Sequence, residues 1–505
     1  MSQLFEGTPL LTATLFLPLA GALFILLLLR TPKAVRFFAV GITIADLLLA
    51  GAVFYAVLKD KSGLQFGEPI LVERFDWIQS LNVQYFLGVD GLSAPMVLLT
   101  GLLGLCAVLA SWHIKLRVKE YFAWLLVLQT AVMGVFLSLD FVLFFIFWEV
   151  ELLPMYFIIS IWGSGRKEYS AMKFLIFTFI GSAFMFVGIL VLYFSVGTFD
   201  MTELGLMNLT ALLIPANIVF FMFFAAFAVK LPVWPVHTWL PDAHTDAPTA
   251  GSVMLAGVLI KMGGYGLIRV CVTMFPQITR DYSWFLVSIA VFSIIYGAMV
   301  TLRQSDLKRL IAYSSVSHMG LVVLGVASLG AVAENVNPIG LNGAAMQMFT
   351  HGTITGLLFL LVGLMYDKTH TRYIPDMGGL ASRMPVIASV FVVAGLASLG
   401  LPGLSGFVSE VLVFLGAFPV WGWLTGIAVF GIVLTAGYIL WMVQRVLFGP
   451  ALPRYAGVSD ASFVEAVPAV LLLIVIVLVG VYPSLITDVF DAGIAPMVAS
   501  RFGLS

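Results

Sequence analysis

The sequence predicts an all-α polytopic membrane protein, a single domain of about 14 transmembrane helices, and three observations predict it. Hydrophobic residues make up 61% of the 505 and charged residues only 10%, where a soluble domain carries about 25% charged residues. Apolar runs of roughly 20 residues, the length that crosses a hydrocarbon core, recur along the chain. Lysine and arginine alternate in number from one connection to the next, as they do when successive helices cross a bilayer.

The runs lie near 10–29, 36–57, 91–112, 121–138, 139–162, 171–197, 211–240, 248–274, 283–302, 308–329, 340–366, 384–418, 422–447 and 464–486. The first, LLTATLFLPLAGALFILLLL, has no small-residue cleavage site after it and reads as a retained helix, not a removed signal. Only Ser138, Leu139 and Asp140 divide the run from 121 to 162. One set of alternate connections holds Arg30, Lys33, Arg36, Lys115, Arg117, Lys119, Arg166, Lys167, Lys173, Arg303, Lys308, Arg309, Lys368, Arg372, Arg383, Arg445 and Arg454. The other holds Lys59, Lys61, Arg74, Arg269, Arg280 and Arg501, and the remaining Lys230 and Lys261 lie within helices. Seventeen basic residues against six puts the richer side in the cytoplasm and both termini on the opposite side. A miscount by one helix would scramble this alternation.

No second domain is evident. The largest polar segment, 58–90, lies on the outer side, and its alternating PILVERFDW suits a short hairpin with no catalytic role. The net charge of -1 leaves no basic footprint for nucleic acid. Cys106 and Cys271 lie in separate runs and make neither a disulfide framework nor a cluster site.

Ionisable residues inside the spans are costly, about 2.5–3.5 kcal/mol each at a helix centre, and persist where they pair or line a wet cavity. Glu149, in FFIFWEVELLPMY, lies roughly 14 Å into its helix at 1.5 Å per residue. Glu151 is two residues on, about 200° around the helix, so the two carboxylates cannot point the same way. Pro154 frees the carbonyl four residues back. Lys230 is deep in the seventh helix and Lys261 in the eighth; His318, His351 and Glu410 continue through the tenth, eleventh and twelfth. Any one of these alone suits a buried ion pair or a satisfied histidine. A row of them in successive helices, bridged by water, suits a proton path, because a buried lysine can lose and regain its proton beside a carboxylate.

Two helices must also break. A continuous helix over 384–418 would be about 50 Å long, against a hydrocarbon core near 30 Å, and it contains Gly400, Pro402, Gly403 and Gly406. The seventh, through VKLPVWPVH, carries Pro232 and Pro235 just after Lys230. Broken backbone at membrane depth is tolerated where it lines a cavity. The two breaks lie five helices apart, an odd number, so the second copy is inverted, and paired interruptions of this kind point to an ion path. His237 and His244 flank TWLPDA without an evident third ligand, and Gly352 to Gly356 is a common packing spacing.

At these residues the chain resembles a known family. FWEVELLPMYFIISIWG, KLPVWPVHTWLPDAHTDAPTAGSVMLAGVLIKMGGYGLIR and SDLKRLIAYSSVSHMG are similar to the antiporter-like membrane subunits of respiratory complex I and of multisubunit cation/proton antiporters. The likeness covers roughly residues 85 to 450. It implies 14 helices with broken helices 7 and 12: N-terminal helices 1–3 over 1–112, a first repeat over 121–274 (helices 4–8), an inverted second repeat over 283–447 (helices 9–13), and helix 14 over 464–486. It also implies a proton half-channel in each repeat, with Glu149 the family's glutamate and Lys230 the lysine paired with it. Lys261 matches the central lysine, and His318 and His351 the histidines leading to the second half. Glu410 stands where most relatives carry lysine, which, with THTRYIPDMGGL at 369–380, is typical of the family's M branch. Glu151 is left without a role.

What the resemblance implies is proton translocation coupled to electron transfer from NADH to quinone. This chain would hold no cofactor and no metal; NADH, FMN, iron–sulfur clusters and quinone would belong to other subunits. Its partners would be L-like and N-like membrane subunits in the cell membrane, with no nucleic acid. A Na⁺/H⁺ antiporter module is the first rival, disfavoured by Glu410 and the M-like tract. A complex with another electron donor, such as ferredoxin or coenzyme F420, is the second.

Overall fold

In a bilayer each backbone N–H and C=O must find its partner within the segment, so apolar runs become helices. The computed structural model describes residues 9–61, 65–209, 211–330 and 337–503. Its spans are α1 (Leu10–Leu27), α2 (Pro32–Asp60), α3 (Ala94–Ala110), α4 (Val118–Leu137), α5 (Phe141–Trp162), α6 (Lys167–Val196), α7a (Ala216–Lys230) with α7b (Trp239–Asp246), α8 (Thr249–Val272), α9 (Ser283–Leu302), α10 (Leu307–Ala327), α11 (Ile339–Thr369), α12a (Pro385–Ser398) with α12b (Ser405–Trp421), α13 (Trp423–Leu447) and α14 (Phe463–Val481). Among the described residues, 11 helices are long and apolar enough to cross a membrane, and α3, α7a, α12a and α12b are shorter apolar pieces. The protein is a multi-pass membrane protein.

The expected spans are present, and the seventh and twelfth are interrupted. Two boundaries differ from the sequence reading. The second piece of the seventh helix is Trp239–Asp246, past the expected end at 240. A further helix, α15 (Ser484–Phe502), follows α14; its Asp488, Asp491 and Arg501 keep it below the hydropathy of a span.

Burial sorts the helices into layers. The apolar windows of α8 and α10 are 94% buried and that of α11 entirely so, whereas α1, α2, α6 and α13 bury 33–39% of theirs. The well-buried helices form the centre and the others turn apolar faces outward, as a bundle in lipid requires. The expected hairpin is present, with β1 (Leu71–Ile78) antiparallel to β2 (Val83–Val89) and a register irregularity between Asp76 and Ile78. It holds the turn before α5: Leu139 N–H donates to Phe86 O at 2.9 Å, and the Asp140 carboxylate accepts from Gln84 N–H at 3.0 Å. Asp140 also caps α5 through the N–H groups of Val142 and Leu143. Burial pushes the Asp140 carboxyl up to about 6, partly opposed by those backbone donors.

Candidate functional site

Proline and glycine set the site's backbone. Pro154 has no N–H for the Val150 carbonyl, and α5 loosens at Glu151, whose backbone stays helical at φ -67° and ψ -23°. The seventh helix opens after Lys230, where Val233 N–H reaches back five residues to Ala228 O at 3.0 Å. The twelfth opens after Ser398 with the same closure, Leu401 N–H to Leu396 O at 3.0 Å. Gly400 there has φ +76°, which favours glycine, and a Cβ at this position would collide with the Glu410 carboxylate. The interruption and the acid are fitted to each other.

At the first break, Lys230 is buried and lies over the rings of Trp148 and Phe174, with Nζ 5.4 and 5.7 Å from their centroids. Its ion-pair partner is the carboxylate of Glu151, also wholly buried. The resemblance pairs Lys230 with Glu149, and those two also lie within electrostatic reach of each other. Glu149 is half-buried and lines an outward groove of about 560 Å³ with Val150, Leu153, Leu175, Ile176 and Phe179. It keeps the same ammonium and Ser182 as polar neighbours. The two carboxylates do point apart, as the helical spacing requires, but Glu151 is the one that meets the lysine.

α8 runs beside this break: a Cβ on Gly263 would lie 2.6 Å from the backbone nitrogen of Leu231, the residue after Lys230. α8 contains two π-helical turns, Leu255–Leu259 and Leu267–Val272. Wide turns of this kind are frequent at functional sites, and Lys261 lies between these two. Its ammonium donates to the Ala256 carbonyl and lies 2.8 Å from His351 Nδ1. The His351 and His318 rings are 5.5 Å apart between centroids. His318 Nδ1 is 3.6 Å from Glu410 Oε1, and its Nε2 is 3.5 Å from the Ser398 hydroxyl, the last residue before the second break. Ser409 donates to Gln347 Oε1 at 2.5 Å and meets the Thr350 hydroxyl at 2.9 Å.

The sequence-predicted residues therefore fall into two clusters. Lys230 has Glu151 in contact and Glu149 nearby; Lys261, His351, His318 and Glu410 form a continuous row from α8 to α12b. Neither His237 nor His244 supports a metal pair. His237 packs edge-on against Tyr296, and His244 stacks on Phe359 at 4.4 Å. No cluster of three or more His, Cys, Asp or Glu suited to a metal occurs among the described residues.

Three features escaped the sequence reading. His244 lies within electrostatic reach of both Lys261 and Lys308, so it adjoins the row toward the lysine- and arginine-rich side. Asp46 of α2 is buried and accepts from Gln129 Nε2 of α4 at 2.5 Å; its place inside an apolar run was the available signal. The polar lining of Ser398, Ser409, Gln347 and Thr350 carries no charge, and charge was the signal followed.

Fold and site together define the class: a polytopic membrane protein of antiporter-like construction, with buried titratable groups gathered at two interrupted helices. The chain belongs to the family described as NADH:quinone oxidoreductase/Mrp antiporter, transmembrane, whose profile matches residues 138–435. It is 41% identical to NADH-quinone oxidoreductase subunit M of Rhodobacter capsulatus, over 97% of this chain and 96% of the relative. It is also 41% identical to NAD(P)H-quinone oxidoreductase chain 4 1 of Synechococcus elongatus, over 98% of this chain and 92% of that one. Among solved structures it is similar to a chain of respiratory complex I from Thermus thermophilus with bound NADH, with a TM-score of 0.85 and 28% identity, covering 98% and 99% of the two chains.

Proposed function

We propose that this chain is the M-type proton-translocating membrane subunit of an NADH–quinone oxidoreductase, in which electron transfer from NADH to quinone drives protons through the membrane. The observation that carries the reading is the buried row from Lys261 through His351 and His318 to Glu410, with the Glu151–Lys230 pair beside it. Full-length similarity to subunits of that name supports the same complex.

In this reading each break serves one half-channel, and residues 121–274 and 283–447 are the two inverted repeats. The matching five-residue closures at the two breaks support the repeat. Lys230 and Lys261 exchange protons with the carboxylate or imidazole beside them, which offers a place for the proton. Lys261 has His351 at 2.8 Å for that purpose. His318 passes the proton between His351 and Glu410, and Glu149 faces the outward groove, where a neighbouring membrane subunit would lie. Bridging water spans the gaps beyond hydrogen-bond reach.

NADH, FMN, iron–sulfur clusters and quinone belong to other subunits, and L-like and N-like subunits are the membrane neighbours. The 17-to-6 division of basic residues supports a cell-membrane orientation with both termini away from the cytoplasm. Glu410, in place of a lysine, disfavours a sodium antiporter module. Purifying the native complex and identifying its subunits tests the reading. NADH-oxidising flavin and cluster subunits, with NADH-driven proton uptake in vesicles, are expected; cation-antiporter subunits in their place would overturn it.

A further inference from the structure

We infer that the Asp90–Arg269 ion pair, backed by Tyr265, is a proton seal that keeps the hairpin end of the bundle out of contact with Lys261. The inference rests on the reading of Lys261 as the central proton carrier. It adds the residues that stop that carrier from leaking to the hairpin side.

Three observations carry it. The first is alignment. Lys261, Tyr265 and Arg269 recur every four residues on α8, a spacing that puts side chains on one helix face. Arg269 thus stands about 12 Å along the axis from Lys261, with Tyr265 midway. The second is access. Beyond Arg269 lies a cavity of about 30 Å³ whose polar lining is Glu68, Asp90, Thr202, Arg269 and Thr273, which is room for water beside polar partners. The Arg269 and Asp90 side chains are 13% and 23% exposed, whereas Tyr265 and Lys261 are wholly buried. Exposure at this end stops at the ion pair. The third is hydrogen-bond direction. The Arg269 guanidinium forks onto Asp90, 2.6 Å from Oδ2 and 2.8 Å from Oδ1, and its Nε donates to the Tyr265 hydroxyl at 3.2 Å. Tyr265 in turn donates to the Phe136 carbonyl of α4 at 3.4 Å. Asp90 is itself fixed by the N–H groups of Leu92 and Ser93, each at 3.0 Å.

This order of groups blocks proton passage. A proton moves along a chain by being accepted at each member, and a guanidinium has five donors and no acceptor. It also stays protonated at any working pH, so a proton arriving in the cavity meets a fixed like charge. Asp90 can take that proton, but the next group inward cannot. Behind it, the Tyr265 hydroxyl donates to a carbonyl of another helix and not along α8 toward Lys261. A pump needs such a block, because a central carrier open to the wrong side gives back what it has moved. A structural staple between α8 and the segment before α3 would use the same ion pair, and leak measured beside stability separates the two.

The test uses the complete complex reconstituted in lipid vesicles. It reads passive proton entry after an imposed pH step without NADH, thermal stability, and the proton-to-electron ratio in turnover. Arg269→Gln replaces the fixed cation by an amide that accepts as well as donates. It is expected to raise passive entry at least about tenfold, since a like charge a few ångströms away inside a protein opposes a cation by more than that. The ratio should fall while quinone is still reduced. The leak should disappear in Arg269→Gln with Lys261→Met, which lacks the group it would load. Tight vesicles from Arg269→Gln, with or without lost stability, overturn the inference alone, and so does a leak that Lys261→Met leaves unchanged. A wild-type ratio from Lys261→Met by itself removes the reading on which the inference rests. If Arg269→Gln does not assemble, Asp90→Asn with Arg269→Gln decides, because no charge of the pair is then left alone. An assembled, leaky complex supports the seal; a tight one, or continued failure to assemble, overturns it.

Discussion

The two helix breaks share a backbone device and differ in chemistry. At each, an N–H reaches back five residues across the opening, at 3.0 Å in both cases. At the first, the titratable group is Lys230, the last residue before the opening, held by a carboxylate from another helix. At the second it is Glu410, in the piece after the opening, facing the His318 imidazole. Backbone interruption therefore supplies a polar pocket at membrane depth, and the side chains decide whether it holds a cation or an acid. Lys230 needs a full counter-charge, because a buried charge without a partner costs about 3–5 kcal/mol. Glu410 has the His318 imidazole, 3.6 Å away, as its polar neighbour.

Substitutions can break or sharpen this contrast. The largest effect is expected from Lys230→Arg, which keeps a positive charge beside Glu151 but hardly deprotonates. Assembly should persist and proton uptake in vesicles should collapse; near-normal uptake would show that Lys230 is a fixed charge and not a carrier. Glu410→Gln comes next. It keeps shape and hydrogen bonding but cannot titrate, so uptake should fall strongly with the complex intact. Glu410→Asp, shorter by about 1.5 Å, should keep part of the activity through bridging water.

A smaller effect is expected from Ser409→Ala, which removes the donor to Gln347 Oε1 and the contact with Thr350. Leaving a buried acceptor unsatisfied costs about 1–3 kcal/mol, so thermal unfolding should come earlier and uptake should fall only partly. The smallest effect on pumping is expected from Gln129→Leu, which leaves Asp46 without its donor, away from both breaks. A stability loss of similar size, about 1–3 kcal/mol, should appear with the proton-to-electron ratio unchanged. A changed ratio would move Asp46 into the conducting region.

Both breaks were legible in the sequence because proline and glycine carry their meaning locally. Pro232 and Pro235, and Gly400 through Gly406, cannot sit in an unbroken helix of membrane length. Charge was legible too: Lys230, Lys261 and Glu410 stand out in apolar runs. The partner of Lys230 was not. The 200° between Glu149 and Glu151 shows that they diverge, but which one touches the lysine depends on how α5 packs against α6 and α7a. The π-helical turns flanking Lys261 leave no mark in LAGVLIKMGGYG, since wide turns arise from packing. α15 went unseen because Asp488, Asp491 and Arg501 interrupt its hydropathy.

Lys261 belongs to neither break and stands between them, with Ala256 O on one side and His351 on the other. The measurement that tests the whole account most directly is the number of protons taken up per electron pair by vesicles carrying Lys261→Met. Methionine fills the buried space without a titratable group. A path running from one break to the other predicts a lower ratio with the complex assembled and quinone still reduced. A wild-type ratio would contradict it, because protons would then cross without passing the centre of the row.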